Sequence, residues 1–404
     1  MKTIAAFFGF LFMICGVAEA AEVTQPNIVV VLADQWRAQA FGFAGDPNAK
    51  TPNFDRLAGE SVRFINAVAG MPVCSPTRAS LLTGQRPLTH GVFLNDVPLS
   101  PDANTLPKVL KAAGYDTGAI GKWHIDGQGR SAFIPRERRQ GFDYWKMLEC
   151  THNYTNSIYY GDTAEKLHWS GYDSLDQTRD ACDFLRARAK AEKPFLLWLA
   201  WGPPHDPYLT APAKYRALYD PAKLALRPNI PAHLEAQARK NLAGYYAHCS
   251  ALDDAMGELL TTLRETGLAE NTIVVFSADH GDMLGSQGLW KKQKPFDESA
   301  RVPLLIRWPA ALGNEARQLD APINRRRHAH AARPRRRARA RERRGSRFQR
   351  SPARRHDAWR RRHRAHLRGP FRRIRSPRRR QGIPRPAHCA AHLRPRPRRP
   401  VAPV

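Results

Sequence analysis

Apolar runs alternate with helical patterns along the first 324 residues. Four apolar runs have the length of buried strands, at residues 27–33, 116–120, 195–200 and 272–277. Helical patterns fall between or after these runs, at residues 106–113, 176–191 and 234–267. Strands that alternate with helices favour an α/β fold, with a large, mostly parallel sheet covered by helices on both faces.

A polar cluster follows each of the four predicted strands. In chain order the clusters contain Asp34 and Gln35, then Lys122 and His124, then His205, then Asp279 and His280. In open α/β sheets, functional sites collect beyond the carboxyl ends of the strands. The pattern therefore predicts one site at that edge, and residues 201–233 are predicted to form a surface excursion over it.

Cys74 begins the segment Cys-Ser-Pro-Thr-Arg, which continues into Ala-Ser-Leu-Leu-Thr-Gly. No second Cys or His lies at the spacing of a zinc half-site. Pro76 suits the first turn of a helix, which would place Cys74 at a helix N-terminus, where anions are favoured. Arg78 follows one helical turn later and can reach the same place. A buried structural cysteine is the alternative interpretation.

Asp34, Gln35, Asp279 and His280 together offer two carboxylates, an amide oxygen and an imidazole. Either pair alone would be read as residues that cap loops. Because both pairs follow buried strands, they predict a divalent-cation site.

The Cys74 motif resembles the sequence that marks type I sulfatases, members of the alkaline phosphatase superfamily, and the resemblance extends over residues 25–324. It implies an alkaline phosphatase-like fold, and conversion of Cys74 to formylglycine (3-oxoalanine) by a maturation enzyme, with the hydrated aldehyde as nucleophile. It also implies Ca²⁺ bound by Asp34, Gln35, Asp279, His280 and the modified Cys74. Gln35 and His280 depart from the family's usual Asp and Asn, and an imidazole ligand shifts the preference towards Mn²⁺ or Zn²⁺.

The same resemblance implies roles for the basic residues. Arg78, Lys122 and Lys292 would offset the charge of a sulfate ester. His205 would protonate the leaving alcohol, and His124 would take a proton when the sulfated intermediate breaks down. Lys292 is chosen by its spacing to residues 296–303; Lys291 and Lys294 are near enough to be alternatives, and a solvated surface lysine is the default interpretation.

The first 20 residues have the pattern of a signal peptide. Lys2 precedes a short apolar run at residues 4–17, and Ala-Glu-Ala at 18–20 is a cleavage pattern. No segment is long and apolar enough to predict a stable membrane span. We therefore expect an exported protein, periplasmic or secreted. Cys150, Cys182 and Cys249 lack paired spacing and are expected to be buried structural cysteines.

The formal net charge of +29 lies entirely in residues 325–404. That segment has 31 Arg, no Lys and two acidic residues, which leaves 34 basic and 34 acidic residues before it. This mixture of Arg, Pro, Ala and His is what GC-rich codons give when read out of frame. We expect a catalytic domain at 21–324 that lacks the family's smaller C-terminal subdomain, followed by a frameshifted, disordered tail.

These observations predict an exported sulfuric-ester hydrolase that acts on a sulfated carbohydrate, with residues 149–160 as candidates for substrate contact. A phosphonate monoester or phosphodiester hydrolase of the same superfamily is the alternative. A second alternative is an inactive truncated product, or a protein whose basic tail binds nucleic acid. The tail's few aromatic residues make a base-stacking surface a poor fit, so no nucleic-acid partner is expected.

Overall fold

The computed structural model describes residues 25–319. The strands are β1 Asn27–Asp34, β2 Val62–Phe64, β3 Asp116–Lys122, β4 Tyr144–Leu148, β5 Ile158–Tyr159, β6 Leu167–His168, β7 Phe195–Pro204, β8 Thr272–Ala278, β9 Leu304–Arg307 and β10 Arg317–Leu319. The α-helices are α1 Pro52–Gly59, α2 Cys74–Thr83, α3 Pro87–His90, α4 Leu106–Ala112, α5 Asp173–Arg188, α6 Ala213–Arg216, α7 Glu235–Glu265, α8 Asp297–Ala300 and α9 Pro309–Leu312. The proposed signal peptide and the Arg-rich tail lie outside the described residues.

Eight of the strands form one sheet in the order β10-β2-β9-β8-β1-β7-β3-β4. The five strands from β8 to β4 are mutually parallel. At the other edge, β9 runs antiparallel to β8 and β2, while β10 is parallel to β2. The predicted α/β class with a mostly parallel sheet is thus confirmed. Strands β5 and β6 form a separate two-stranded ribbon.

Alternate residues of the central strands face two separate hydrophobic clusters. Val29 and Val31 of β1 belong to the cluster that contains helices α5 and α7. Val30 and Leu32 belong to the cluster that contains α2 and, at its margin, α4. Because side chains of a strand alternate between faces, an unbroken apolar run is needed when helices cover both sides.

Helix α7 passes close beneath the chain that follows β7. A Cβ added at Gly244 of α7 would lie 2.4 Å from the carbonyl oxygen of Tyr208. Glycine therefore allows this backbone-to-helix approach, which sets the position of the loop that follows His205.

The structure corrects three local predictions. Residues 201–204 continue β7 and are buried, so the excursion predicted over 201–233 begins only at His205. The two-residue spacing of Lys122 and His124 predicts that both lie on one side of an extended segment. His124 has a φ of 62° and therefore does not continue the extended segment of Lys122. Helix α5 begins and ends three residues earlier than the predicted 176–191. Between residues 25 and 319, no helix combines the length and apolarity needed to cross a membrane.

Candidate active site

Cys74 is the first residue of α2, and its side chain is buried at the edge of the sheet. Its Sγ lies 3.3 Å from Nε2 of His280 and 3.2 Å from Nζ of Lys292. It is also 3.8 Å from Oδ1 of Asp34. The predicted position at a helix N-terminus is found, and there the sulfur touches an acid, an imidazole and an amine from three distant parts of the chain.

Asp34 and Asp279 lie side by side because their strands are parallel neighbours, with Ala33 paired to Ala278. Arg78 bonds both carboxylates, through Nη2 to Oδ2 of Asp34 at 3.1 Å and Nε to Oδ2 of Asp279 at 2.9 Å. Its Nη1 donates to the carbonyl oxygen of Lys122 at 2.8 Å. All three nitrogens of the guanidinium are therefore engaged, and Arg78 fixes the two acids relative to each other.

Charges that surround the two acids separate their pKa values. Burial favours the neutral form of Asp34, but the charges of Lys122, Lys292 and Arg78 hold its pKa well below the usual range. The Lys122 ammonium lies 2.5 Å from Oδ2 of Asp34. For Asp279, burial and the neighbouring Asp34 charge outweigh its cationic partners and raise the pKa. Two buried acids this close favour a further positive charge.

His280 presents a ring nitrogen to the two carboxylates. Its Nδ1 donates to the carbonyl oxygen of Gly281 at 2.9 Å, which assigns the lone pair to Nε2 in the neutral ring. That Nε2 lies 3.5 Å from Oδ1 of Asp34 and 3.5 Å from Oδ1 of Asp279. Ligand atoms of Asp34, Cys74, Asp279 and His280 all lie within 4.8 Å of one another. Ligand atoms with lone pairs that lie this close together could bind a cation.

Gln35 lies against Asp279, next to this set, and carries a further amide oxygen. Its backbone N–H donates to Oδ1 of Asp279 at 3.1 Å, in a left-handed conformation with φ 68°. Its side-chain Nε2 donates to Oδ2 of Asp282 at 2.7 Å. Its Oε1 is buried and has no hydrogen-bond partner among the described residues. Carboxylate, amide and imidazole ligands fit Ca²⁺ or Mn²⁺, and a buried amide oxygen without a hydrogen-bond partner suits a cation ligand.

Lys292 links the Cys74 sulfur to His205. Lys292 Nζ is 2.8 Å from Nε2 of His205, whose Nδ1 donates to the carbonyl oxygen of Asp206 at 2.7 Å. Burial, together with the charge of Lys292, lowers the pKa of His205 to about 3 despite the opposing effect of Asp34. In the free protein this imidazole is therefore neutral. His152 stacks on it with ring centroids 4.6 Å apart.

The three neighbouring lysines have different surroundings. Only Lys292 contacts Cys74; Lys291 forms an ion pair with Asp206 at 3.2 Å and is mostly exposed. The backbone N–H of Lys294 donates to the hydroxyl of Ser299. Of the three candidates, the geometry places Lys292 in the site.

His124 and Cys150 are two further buried groups near Lys122. His124 is buried, with Nε2 3.4 Å from Oδ1 of Asp96. Burial opposes its charge, but the neighbouring Cys150 and Cys74 side chains raise its pKa to about 9. Neither ring nitrogen of His124 has a hydrogen-bond partner among the described residues. Burial likewise opposes ionisation of Cys150, yet Lys122 and His124 lower its pKa to about 5.

All four cysteines in the described part of the chain are free and buried, as predicted. Cys150 nevertheless differs from Cys182, whose pKa is raised by burial to about 11. The sequence interpretation of Cys150 as purely structural is incomplete, because its thiol lies beside Lys122 and His124.

Several site residues were not identified from the sequence. Asp282 and Tyr208 bond each other at 2.6 Å beside Gln35, and Asp206 lies 3.5 Å from the Gln35 amide. A carboxylate two residues after His280 was a usable signal for Asp282. For Tyr208 the sequence carries no such signal, because its position depends on the loop that follows β7.

The Sulfatase family model matches residues 26–331 of this chain. An ulvan-active sulfatase of Formosa agariphila is 47% identical over 332 residues, which are 80% of this chain and 65% of that protein. An endo-4-O-sulfatase of Bacteroides thetaiotaomicron is 32% identical over 345 residues, or 73% of this chain and 66% of that protein. The chain thus spans slightly less than two thirds of these relatives.

Solved structures agree on the fold. The protein yidJ of Bacteroides fragilis matches with a TM-score of 0.69 and 32% identity, over 72% of this chain and 70% of that one. A phosphonate monoester hydrolase of Agrobacterium radiobacter matches with a TM-score of 0.60 at 23% identity, over 74% and 71% of the two chains. The second likeness concerns the fold alone.

Proposed function

This chain belongs to the sulfatase family, and we propose that it is an exported hydrolase that removes sulfate from a sulfated carbohydrate. One observation carries the proposal. Cys74 belongs to the cluster of cation ligands, and its sulfur also contacts Lys292, whose ammonium is bonded to His205. A nucleophile at this position would have positive charge nearby to stabilise an anionic ester. It would also have an imidazole nearby that can donate a proton to the leaving group.

Conversion of Cys74 to formylglycine by a maturation enzyme is part of the proposal. The aldehyde replaces the thiol, so the contacts of Sγ stand in for those of the aldehyde or diol oxygens. Those contacts include the Lys292 ammonium at 3.2 Å, which would stabilise negative charge on such an oxygen. The position at the start of α2 adds the positive end of the helix dipole.

Asp34, Gln35, Asp279 and His280, with the modified Cys74, would hold one divalent cation. We propose Ca²⁺, with Mn²⁺ as the alternative because His280 contributes an imidazole. When bound, such an ion supplies positive charge and Lewis-acid polarisation next to the nucleophile and the sulfate.

The basic residues bind and orient the sulfate. Lys292 has its ammonium against the Cys74 sulfur. Burial opposes its charge, but the negative charges of the site outweigh burial and raise its pKa. The Lys122 ammonium is bonded to Asp34 and would hold that carboxylate in place beside the nucleophile. Arg78, by contrast, uses its donors on Asp34 and Asp279. Its effect on sulfate would therefore come through the position of these acids, which modifies the direct role expected from sequence.

His205 would donate the proton to the leaving alcohol oxygen. In the free protein Nδ1 is bonded to the Asp206 carbonyl and Nε2 accepts from Lys292. A sulfate ester that binds beside Lys292 brings negative charge, which raises the pKa of His205 and favours a proton on Nε2. His124, with Asp96 next to its Nε2, would hold a proton near the nucleophile. Because its raised pKa keeps the ring protonated in the free protein, it could take a proton from the intermediate only after giving this one up.

The substrate class is proposed from the relatives and from the site's entrance. Two of the relatives act, by name, on ulvan and on 4-O-sulfate groups. His152 is exposed and stacks on His205, so a sugar bound to the leaving oxygen would pass beside this ring. Residues 149–160 remain the proposed segment for substrate contact.

Peptide mass spectrometry of the Cys74 peptide, combined with sulfate release, tests the proposal. The protein is produced with a maturation enzyme and assayed on ulvan, on a 4-O-sulfated glycosaminoglycan and on phenylphosphonate esters. We expect the aldehyde mass at Cys74 and sulfate release from a polysaccharide. Converted protein that hydrolyses phosphonate esters but releases no sulfate would show that the alternative is correct.

A further inference from the structure

The orientation of the Gln35 amide is set by its surroundings. Its Nε2 faces three oxygen atoms, from Asp282 at 2.7 Å, Tyr208 at 3.5 Å and Asp206 at 3.5 Å. The carboxylates can only accept hydrogen bonds, and the Tyr208 hydroxyl donates its hydrogen to Asp282 and can only accept from Gln35. The amide nitrogen must therefore point towards these oxygens. Oε1 points the other way, buried and without a partner among the described residues.

Asp282 is the dominant member of this group. It is fully buried, and its Oδ2 accepts from both Tyr208 at 2.6 Å and Gln35. Its Oδ1 accepts the backbone N–H of Leu284 at 3.1 Å. Asp206 is farther from Gln35 and is shared with Lys291. Only Asp282 thus combines a short contact to the amide with a fixed position of its own.

We propose that Asp282, held by Tyr208, is a positioning residue that directs Oε1 of Gln35 into the cation site. This inference rests on the cation site of the proposed function. Asp282 is not one of the residues whose ligand atoms cluster within 4.8 Å, so it acts through Gln35 rather than as a ligand. Hydrogen-bond partners of metal ligands fix the ligand's orientation, and their loss typically weakens metal binding about 10- to 100-fold.

A double-mutant cycle separates this role from a general structural one. Mn²⁺ dissociation constants are measured by electron paramagnetic resonance for wild type, Asp282→Asn, Gln35→Ala and the double variant, each as the full chain. Asp282→Asn cannot serve the Gln35, Tyr208 and Leu284 donors together, because one oxygen has become an NH₂. We expect about a tenfold loss of affinity from Asp282→Asn in wild type, and almost none in the Gln35→Ala background.

Asp253→Asn is the matched control, since Asp253 is as buried but caps α1 through the N–H groups of Asn53 and Phe54. It should change the melting temperature and leave the Mn²⁺ dissociation constant unchanged. If Asp282→Asn does not fold, Tyr208→Phe takes its place in the cycle, because it removes the hydroxyl that holds Asp282.

The outcomes are distinguishable. Equal losses in both backgrounds, or no loss in either, would overturn the positioning role while the cation site stands. A wild-type chain that binds no Mn²⁺ or Ca²⁺ would overturn the cation site of the proposed function, and this role with it.

Discussion

Lys292 Nζ lies 3.2 Å from Sγ of Cys74, although 218 residues separate the two along the chain. The same ammonium is 2.8 Å from the ring of His205. Lys292 therefore connects the nucleophile position to the imidazole proposed as the proton donor. No local pattern encodes this contact; it arises from the loop that follows β8.

Replacing Lys292 with Ala should lower kcat/KM on a sulfated substrate by about 10²- to 10³-fold, the cost of losing one charge-stabilising donor. Lys291→Ala is the control, because Lys291 pairs with Asp206 at the surface. It should change the rate by less than about threefold, as expected for an exposed ion pair. Equal losses from the two variants would contradict the assignment of Lys292.

Cys74→Ala should abolish turnover while leaving the melting temperature within a few degrees of wild type, because Cys74 contacts polar groups of the site and belongs to neither hydrophobic cluster. Cys182 is a buried residue of α5 within the hydrophobic core, so Cys182→Ala should keep activity and lose some stability through the cavity it leaves. More than residual turnover by matured Cys74→Ala would rule out the proposed nucleophile.

Removal of the cation should inactivate the enzyme reversibly. We expect about one Ca²⁺ or Mn²⁺ per chain by elemental analysis, loss of sulfate release in chelator, and recovery when the ion is returned. The physical reason is the pair of adjacent acids, Asp34 and Asp279, whose repulsion a cation relieves. Full activity in chelator with no bound metal would contradict this prediction.

Asp173 gives a pH dependence that is independent of the active site. Burial raises its pKa from 3.8 to about 7, against weaker opposing hydrogen bonds from Ser174 and Ser157. The folded protein therefore binds this proton more tightly than the unfolded chain. The protonated Asp173 therefore adds to the free energy of unfolding in full below pH 4, and this contribution is lost as pH rises to about 7. Each pKa unit between the folded and unfolded states corresponds to roughly 1.4 kcal/mol.

Melting temperatures at pH 5 and pH 8 test this effect in wild type and Asp173→Asn. The amide cannot ionise, so we expect the variant to lose less stability than wild type over that interval. Equal losses in wild type and Asp173→Asn would show that Asp173 is already ionised in the folded protein at pH 5.

The Arg-rich composition after residue 324 predicts a frameshift in the coding DNA. We expect that reading the DNA one base out of the present frame from the Asn324 codon onwards gives a continuation similar to sulfatases. Sequencing of the locus is the measurement. If neither shifted frame gives such a continuation, the tail needs another explanation.

Much of the fold could be predicted from the sequence because the signals are local. The apolar runs of β1, β3, β7 and β8 are continuous since both faces of the sheet are covered, and that same pattern gives their boundaries within a few residues. The sequence likewise determined that polar residues follow these strands, and that Cys74 begins a helix.

The tertiary structure alone decided how those residues meet. Parallel pairing of β1 with β8 sets Asp34 beside Asp279, and Arg78 donates hydrogen bonds to both acids. The spacing to residues 296–303 favoured Lys292, but only the path of its loop shows that Lys292, and not Lys291, contacts Cys74. The orientation of the Gln35 amide depends on Asp282 and Tyr208, which come from different segments. Contacts between distant segments are set by the packing of the whole sheet, and a local pattern does not contain them.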